Sequence, residues 1–137
     1  MKITIDLSGL DELPDEIDEY INNSMIEASH NAIDAQKIRN LSSKKTYKNH
    51  TWNLRNAPGA AVVRDGEIID LYIPADSSHT QAKNKTENLI VYGKKPDNGV
   101  ILADGMEYAS FVSSKGFDVI DTGQIVLENE LRQSLEK

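Results

Sequence analysis

The residue types that perform catalysis or bind metals are scattered along this sequence. Its three histidines, His30, His50 and His79, form neither a His-x-His nor a His-x-x-x-His pair, the spacings that place two imidazoles on one metal ion. The sequence has no Gly-x-Ser-x-Gly elbow, phosphate-cradling glycine loop or dinucleotide fingerprint. It has no cysteine, which excludes thiolate chemistry and cysteine-based zinc sites. We therefore predict no catalytic residue, no metal site and no cofactor, in a protein that is not an enzyme.

A basic segment with interleaved aromatic residues carries the clearest binding signal. Residues 37–64 contain seven Lys or Arg and no acid, together with Tyr47, His50 and Trp52. Such a segment can bind single-stranded nucleic acid by base stacking and phosphate contacts. The residues that would make these contacts are Lys44, Lys45, Lys48, Trp52 and Arg55.

Two other interpretations of the same segment remain open. Tyr47, Trp52 and Arg55 are of the types enriched at the centres of protein–protein interfaces, so a partner protein explains them equally well. Alternatively, Trp52 and Leu54 are ordinary core residues that hold the segment against a helix. For Arg55 the choice is between fixing the turn before the sheet and reaching a neighbouring subunit.

The net charge of −7 is unevenly distributed along the 137 residues. Residues 1–36 carry one base and nine acids, whereas residues 37–64 are purely basic. The overall acidity weighs against nucleic acid, because acidic flanks repel phosphates within about one Debye length. We predict that the acidic start of the first helix and the basic segment lie on different faces, each paired with another subunit.

Composition and the N-terminal residues predict where in the cell the protein is found. With 39% hydrophobic residues and no run near 18 apolar residues, nothing in the sequence is expected to span a membrane. Residues 1–7 alternate between apolar and polar and lack the apolar core of a signal peptide. We expect a cytosolic protein of a single domain, residues 1–137.

The N-terminal half predicts a strand followed by a long helix. Ile3, Ile5 and Leu7 alternate with polar residues, as in a strand with one buried face. A helix is predicted from about Pro14 to Leu41, because Pro14 and the acids after it suit a first helical turn. Its apolar stripe contains three alanines, so a partner element can approach closely. The stripe consists of Ile17, Ile21, Met25, Ala28, Ala32 and Ala35.

A hairpin and a long loop are predicted next. Asp65-Gly66 is a strong hairpin signal between strands at 60–64 and 67–73. Residues 75–88 lack a periodic apolar pattern and are rich in Ser, Thr, Lys and Asn, which predicts a long, exposed, mobile loop. Leu89–Tyr92 is predicted to be a short strand.

The C-terminal part predicts one more strand and a helix. Val100–Ala103 is a short apolar run, and the last helix extends from about Gly123 to Glu136, capped by Asp121 or Thr122. Its buried stripe is predicted to be Leu127, Leu131 and Leu135. The fold class is α+β, with the long N-terminal helix and the C-terminal helix packed on one mostly antiparallel sheet.

Two segments resemble phage tail-completion and head–tail joining proteins. The first reads Tyr47-x-Asn49-x-Thr51-x-Asn53-Leu54-Arg55 and precedes a hairpin, as does the family's Thr-Gly-x-Leu-Arg-like turn. The second reads Tyr108-Ala109-Ser110-Phe111-Val112-Ser113-Ser114-Lys115-Gly116 and is similar to the family's Tyr-Ala-x-Tyr-Val-Glu-x-Gly-like segment. The resemblance covers roughly residues 15–135. Trp52 stands where the family has Gly, Ser113 replaces an acid, and Gly116 comes one residue late.

The resemblance implies a structural subunit of a bacteriophage or prophage without an active site. Such minor tail or neck components act at the head–tail junction or the tail end during virion assembly, commonly as rings of six. A ring is a head-to-tail assembly, in which one patch meets a different patch on the next copy. The implied partners are other neck or tail proteins and further copies of the chain, with no membrane and no nucleic acid. The implied location is the host cytoplasm during assembly and then the virion.

The resemblance also implies a set of interaction residues. They are Tyr47, Thr51, Trp52, Leu54, Arg55, Tyr108, Ala109, Phe111 and Gly116.

Overall fold

The computed structural model describes residues 1–7, 15–42, 56–75, 77–106, 109, 113 and 118–135. Within these residues the elements are β1 (Lys2–Asp6), α1 (Asp15–Ser42), β2 (Gly59–Arg64), β3 (Glu67–Tyr72), α2 (Thr80–Tyr92), β4 (Gly99–Ala103) and α3 (Asp121–Leu135). A 3₁₀ turn, Ser77–His79, leads into α2.

The four strands form one antiparallel sheet in the order β1-β4-β2-β3. Ile3 lies opposite Leu102, which lies opposite Ala60, which in turn lies opposite Tyr72. α1 packs against β2 and β4, and α3 packs along α1. The predicted α+β class, with the two terminal helices on an antiparallel sheet, is confirmed.

Alternate residues of the central strands supply two hydrophobic clusters. Val62, Val100 and Leu102 belong to the larger cluster, which includes Met25 of α1 and Leu127 of α3. The intervening side chains form a smaller cluster with α2 on the other face, and all of these are fully buried. They are Ala61, Val63, Ile90, Ile101 and Ala103. β2 and β4 therefore have continuous apolar sequences because both of their faces are covered.

The predicted hairpin is confirmed. Asp65 (φ 54°) and Gly66 (φ 80°) both have positive φ, as a tight turn between twisted strands requires. The turn is also held from outside the hairpin, since the Gly66 N–H donates to the Asp97 carbonyl at 2.9 Å.

The alanine stripe of α1 does admit a close neighbour. Ala28 and Ala32 are buried, and a Cβ built on Gly123 of α3 would lie 3.2 Å from the Ala32 carbonyl oxygen. The two helices therefore meet backbone to backbone at this point. The prediction that Ile17 belongs to the buried stripe is wrong: its side chain is 48% exposed, and burial begins at Ile21.

The predicted loop at 75–88 and the strand at 89–92 are wrong, because most of this stretch is helix α2. Its buried positions are Ala82, Thr86 and Ile90, four residues apart. Only one of the three has a large apolar side chain, so the helical period is invisible to a search for apolar residues. Thr86 takes a buried place because its hydroxyl bonds two backbone groups, as described below.

The residue that caps helix α3 is Asp118, and not the predicted Asp121 or Thr122. The Asp118 carboxylate accepts the backbone N–H groups of Asp121 (3.1 Å) and Thr122 (3.2 Å) and the Thr122 hydroxyl (2.5 Å). It also accepts a bond from the Gln36 side-chain amide of α1 at 3.0 Å, and Gln36 Oε1 accepts the Gly123 N–H at 2.8 Å. Burial raises the pKa of Asp118, but these hydrogen bonds outweigh it and leave the pKa below its usual value.

We expect Asp118→Ala to lower the free energy of unfolding by about 1–2 kcal/mol at neutral pH, because the α3 cap and its link to α1 are lost together. Asp121→Ala, one turn later and exposed, is the control and should cost less than about 0.5 kcal/mol. Because the folded state depresses the pKa of Asp118, its stabilisation is lost as pH falls through that pKa. Urea unfolding of both variants at neutral and acidic pH measures this, and equal losses at neutral pH would contradict the capping role.

Candidate functional site

One of the nine implied interaction residues, Ala109, lies within the described residues. It is fully buried and belongs to the larger hydrophobic cluster, so it packs the core and is not itself a surface contact. The other eight lie outside the described residues: Tyr47, Thr51, Trp52, Leu54, Arg55, Tyr108, Phe111 and Gly116. Lys44, Lys45, Lys48 and His50 of the basic segment also lie outside. Their roles stay predictions.

The chain stretches that border the two family-like segments converge at one buried hydroxyl. Thr86 Oγ1 donates to the carbonyl of Ala57, two residues after the first segment, at 2.6 Å. The same oxygen accepts the N–H of Gly105, three residues before the second segment, at 2.9 Å. Thr86 is fully buried, so these bonds are shielded from water. We call this arrangement the Thr86 junction.

Close packing reinforces the Thr86 junction. A Cβ on Gly105 would lie 2.3 Å from the Lys85 carbonyl, so only glycine lets the chain pass this close to α2. Ala57 and Ala109 are both fully buried in the larger cluster. The described residues that border the two segments, Ala57 and Gly105, are therefore held at the same part of the molecule.

Asp104, next to the Thr86 junction, is a buried carboxyl group. Its Oδ1 accepts the Met106 N–H at 3.0 Å, whereas Oδ2 has no hydrogen-bond partner among the described residues. Burial raises the pKa of Asp104 to about 7, although the Met106 N–H and the nearby chain amino group favour the charged form. The side chain can therefore hold a proton at neutral pH.

A buried guanidinium joins the acidic start of α1 to the end of β2. Arg64 is 6% exposed and donates through Nε to Asn98 (2.8 Å), through Nη1 to Asn22 (2.6 Å), and through Nη2 to Asp18. Asp18 belongs to the acidic region and Arg64 to the basic segment. The prediction that these charges lie on separate faces is wrong for this pair, because they neutralise each other within one chain.

The other described bases of the basic segment also contact their own chain. Lys37 Nζ donates to the Pro74 carbonyl, and Arg39 Nε lies 3.6 Å from the Asp118 carboxylate. For the described bases of residues 37–64, charge therefore serves the fold and gives no support to subunit assembly.

A histidine–tyrosine stack fastens α1 to the edge strand β3. His30 Nε2 and Asp70 Oδ2 are 2.7 Å apart, and the His30 ring stacks on Tyr72 with centroids 4.0 Å apart. The Tyr72 hydroxyl donates to Asp34 Oδ1 at 2.5 Å, and burial together with Asp34 raises the pKa of Tyr72 to about 12. A carboxylate that orients an imidazole is one part of acid–base chemistry. In this structure these contacts join α1 to β3.

The sequence carries one signal for this contact, which is the spacing of the residues within each element. His30 and Asp34 are four residues apart on a helix, and Asp70 and Tyr72 are two apart on a strand, so each pair shares one face. Spacing alone, however, does not show that the two faces meet.

Among the described residues, no three His, Asp or Glu side chains converge in a way that would hold a metal ion. Within the same residues, no helix is both long enough and apolar enough to cross a membrane.

Comparison with known proteins returned no match among protein-family models, curated proteins or solved structures.

We expect Arg64→Lys to lower the free energy of unfolding by about 2 kcal/mol, because an ammonium cannot reach three acceptors spread across a guanidinium fork. Arg132→Lys, exposed on α3, is the matched control and should change it by less than about 0.5 kcal/mol. Chemical denaturation of both variants measures the difference. A loss in Arg64→Lys no larger than in the control would show that the guanidinium fork is dispensable.

We expect the contribution of Asp104 to stability to fall as pH rises from about 4 to about 7. The folded state raises the pKa of Asp104 to about 7, so between these pH values the folded chain holds a proton that the unfolded chain has lost, and the stabilisation from that proton is gone above about 7. Between pH 5 and pH 8 the loss should be about 3 kcal/mol. Asp104→Asn keeps the Met106 bond, removes the charge and should flatten this dependence.

Denaturant unfolding of Asp104→Asn, the wild type and a Glu128→Gln control across this pH range is the measurement. The control replaces an exposed acid of α3 and should follow the wild type. If Asp104→Asn also follows the wild type, the buried carboxyl is not the source of the pH dependence.

Proposed function

We propose that this chain is a structural subunit of a phage or prophage virion, acting at the head–tail junction or tail end through protein–protein contacts, as a ring. The proposal rests on the ordered resemblance of two segments to the tail-completion and head–tail joining family. It includes the host cytoplasm during assembly, and then the virion, as the location.

The Thr86 junction is the observation that supports this proposal most. A resemblance based on two short segments gains weight if the segments are brought together in space, because a shared contact surface needs both. Ala57 borders the first segment and Gly105 precedes the second, and one hydroxyl holds both. The charge pattern, in contrast, no longer contributes, since Asp18 and Arg64 pair within one chain.

Exposed apolar side chains offer contact area to neighbouring subunits. Tyr92, the last residue of α2, is 84% exposed, Ile38 of α1 is 69% exposed, and Ile125 of α3 is 61% exposed. Tyrosine in particular is enriched at interface centres. These residues lie on three different helices, as a subunit that contacts several neighbours would require.

Nucleic-acid binding through the basic segment is the alternative. Lys37, Arg39 and Arg64 are already engaged within the chain, which leaves fewer cations for phosphates. A binding assay on single-stranded nucleic acid across a salt series distinguishes the two functions, because phosphate contacts give a steep loss of affinity with salt. Salt-sensitive binding would favour the alternative.

We expect deletion of the gene from its phage to leave filled heads and separate tails, visible by negative-stain electron microscopy. A plasmid copy of the wild-type chain should restore joined, infectious particles. Infectious particles with joined tails in the deletion strain would refute the proposal.

Two substitutions at the Thr86 junction refine this experiment. Thr86→Ser keeps the hydroxyl and should complement the deletion, whereas Thr86→Val removes it at similar volume and should complement poorly. Circular dichroism of both purified variants establishes that each is folded, so that a loss of joining reports on the junction. Full complementation by folded Thr86→Val would show that the junction does not organise the contact surface.

A further inference from the structure

Strand β1 lies at one end of the sheet that the described strands form. β1 pairs with β4 on one side, and no described strand pairs with it on the other. The Met1 amino group donates to the Asp104 carbonyl and the Asp104 N–H donates to the Met1 carbonyl, both at 2.9 Å, while the Leu7 N–H donates to the Asn98 carbonyl. Odd-numbered residues therefore bond β4. By the alternation of antiparallel pairing, the N–H and C=O groups of Lys2, Thr4 and Asp6 point outward.

The outward-pointing residues are complementary to themselves. If a second copy lies antiparallel with the two Thr4 residues opposite each other, Lys2 of each copy faces Asp6 of the other. In the same register Ile3 faces Ile5. This register satisfies the hydrogen-bonding pattern and the charges at once, since the backbone groups of positions 2, 4 and 6 bond no described strand. Opposite charges on directly facing residues stabilise a strand pair.

The face of the sheet that carries Lys2, Thr4 and Asp6 also suits the second copy. A cleft of about 280 Å³ lies there, and Lys94, Lys95 and Pro96 complete its lining. Lys2 Nζ donates to the Lys94 carbonyl at 2.7 Å, which holds its positive charge beside the edge. The Asp6 carboxylate of a second copy would enter a cleft with three lysines.

The opposite face offers an apolar groove at the same edge. Ile5 and Leu7 line it with Leu131 and Leu135 of α3, and Glu128 and Arg132 complete the lining of a space of about 270 Å³. In the antiparallel register, Ile3 and Met1 of a second copy would lie beside Ile5 and Leu7. On this face the groove would receive Ile3 and Met1 of the second copy. On the other face the cleft would receive its Asp6 carboxylate.

We propose that two copies of this chain pair through the outer edges of β1, antiparallel, with Thr4 on the two-fold axis. The two sheets become one continuous sheet of eight strands. Lysine on an edge strand usually prevents strand addition. Here Asp6 on the same strand matches it, so the edge rejects other strands and accepts its own copy. This pairing goes beyond the proposed virion role and does not depend on it.

Charge reversal tests the register, with sedimentation of the isolated chain as the measurement. Lys2→Glu places two acids opposite each other, Asp6→Lys places two bases opposite each other, and each should weaken dimerisation by about tenfold or more. An equal mixture of the two variants should restore it, because both facing pairs become opposite in charge. The double variant Lys2→Glu/Asp6→Lys should also dimerise. Circular dichroism confirms that each variant is folded.

Cysteine crosslinking locates the axis. The chain has no cysteine, and facing hydrogen-bonded residues have Cα atoms about 5.5 Å apart, within disulfide reach. Thr4→Cys should therefore form a crosslinked dimer under mild oxidation, whereas Glu67→Cys, exposed on the opposite edge strand, should not.

Three results would overturn the pairing. They are a wild-type chain that sediments as a monomer at every concentration, self-association that neither charge reversal weakens, and a mixture of the reversed variants that fails to reassociate. Equal crosslinking of Thr4→Cys and Glu67→Cys would also contradict it, because it would indicate random collision.

Discussion

The guanidinium of Arg64 is the interaction on which the arrangement of α1 and the sheet depends. A buried charge is tolerated only if its hydrogen bonds and countercharge are in place, so its three acceptors must stay where they are. Two of these acceptors, Asp18 and Asn22, lie in the first turns of α1, and the third, Asn98, lies just before β4. Asn98 Oδ1 also accepts the Asp65 N–H at 3.2 Å, which ties in the hairpin turn. One side chain therefore sets the position of α1 relative to β2, β3 and β4.

Local signals in the sequence predicted most of the fold because they act over a few residues. Asp65-Gly66 selects a turn by backbone conformation, and the alanines of α1 determine how closely Gly123 can approach. Helix α2 lies where the sequence predicts a loop and a strand, and the reason is physical. Thr86 is buried to satisfy the backbone of Ala57 and Gly105, and a polar residue with that role breaks the apolar period. Asp118 is not the predicted cap because α3 begins at Asp121, two residues before the predicted start at Gly123.

The candidate site was less predictable, because its parts meet only after folding. The separation of charge along the chain suggested two surfaces, yet Asp18 and Arg64 meet within one subunit. Ala109 was expected at an interface and lies in the core. The complementarity of Lys2 and Asp6, in contrast, is already present in the sequence of β1. The sequence does not show that β1 lies at the end of the sheet, where Lys2 and Asp6 could face a second copy. The order of the described strands shows this.

We propose that this chain is a structural part of a virion, held at the neck or tail end by contacts with other subunits. Cryo-electron microscopy of the intact particle's head–tail junction tests it most directly. We expect a ring of density at the junction or tail end into which the β1-β4-β2-β3 sheet and its three described helices fit. Complete particles in which every neck and tail density is assigned to other chains would contradict it.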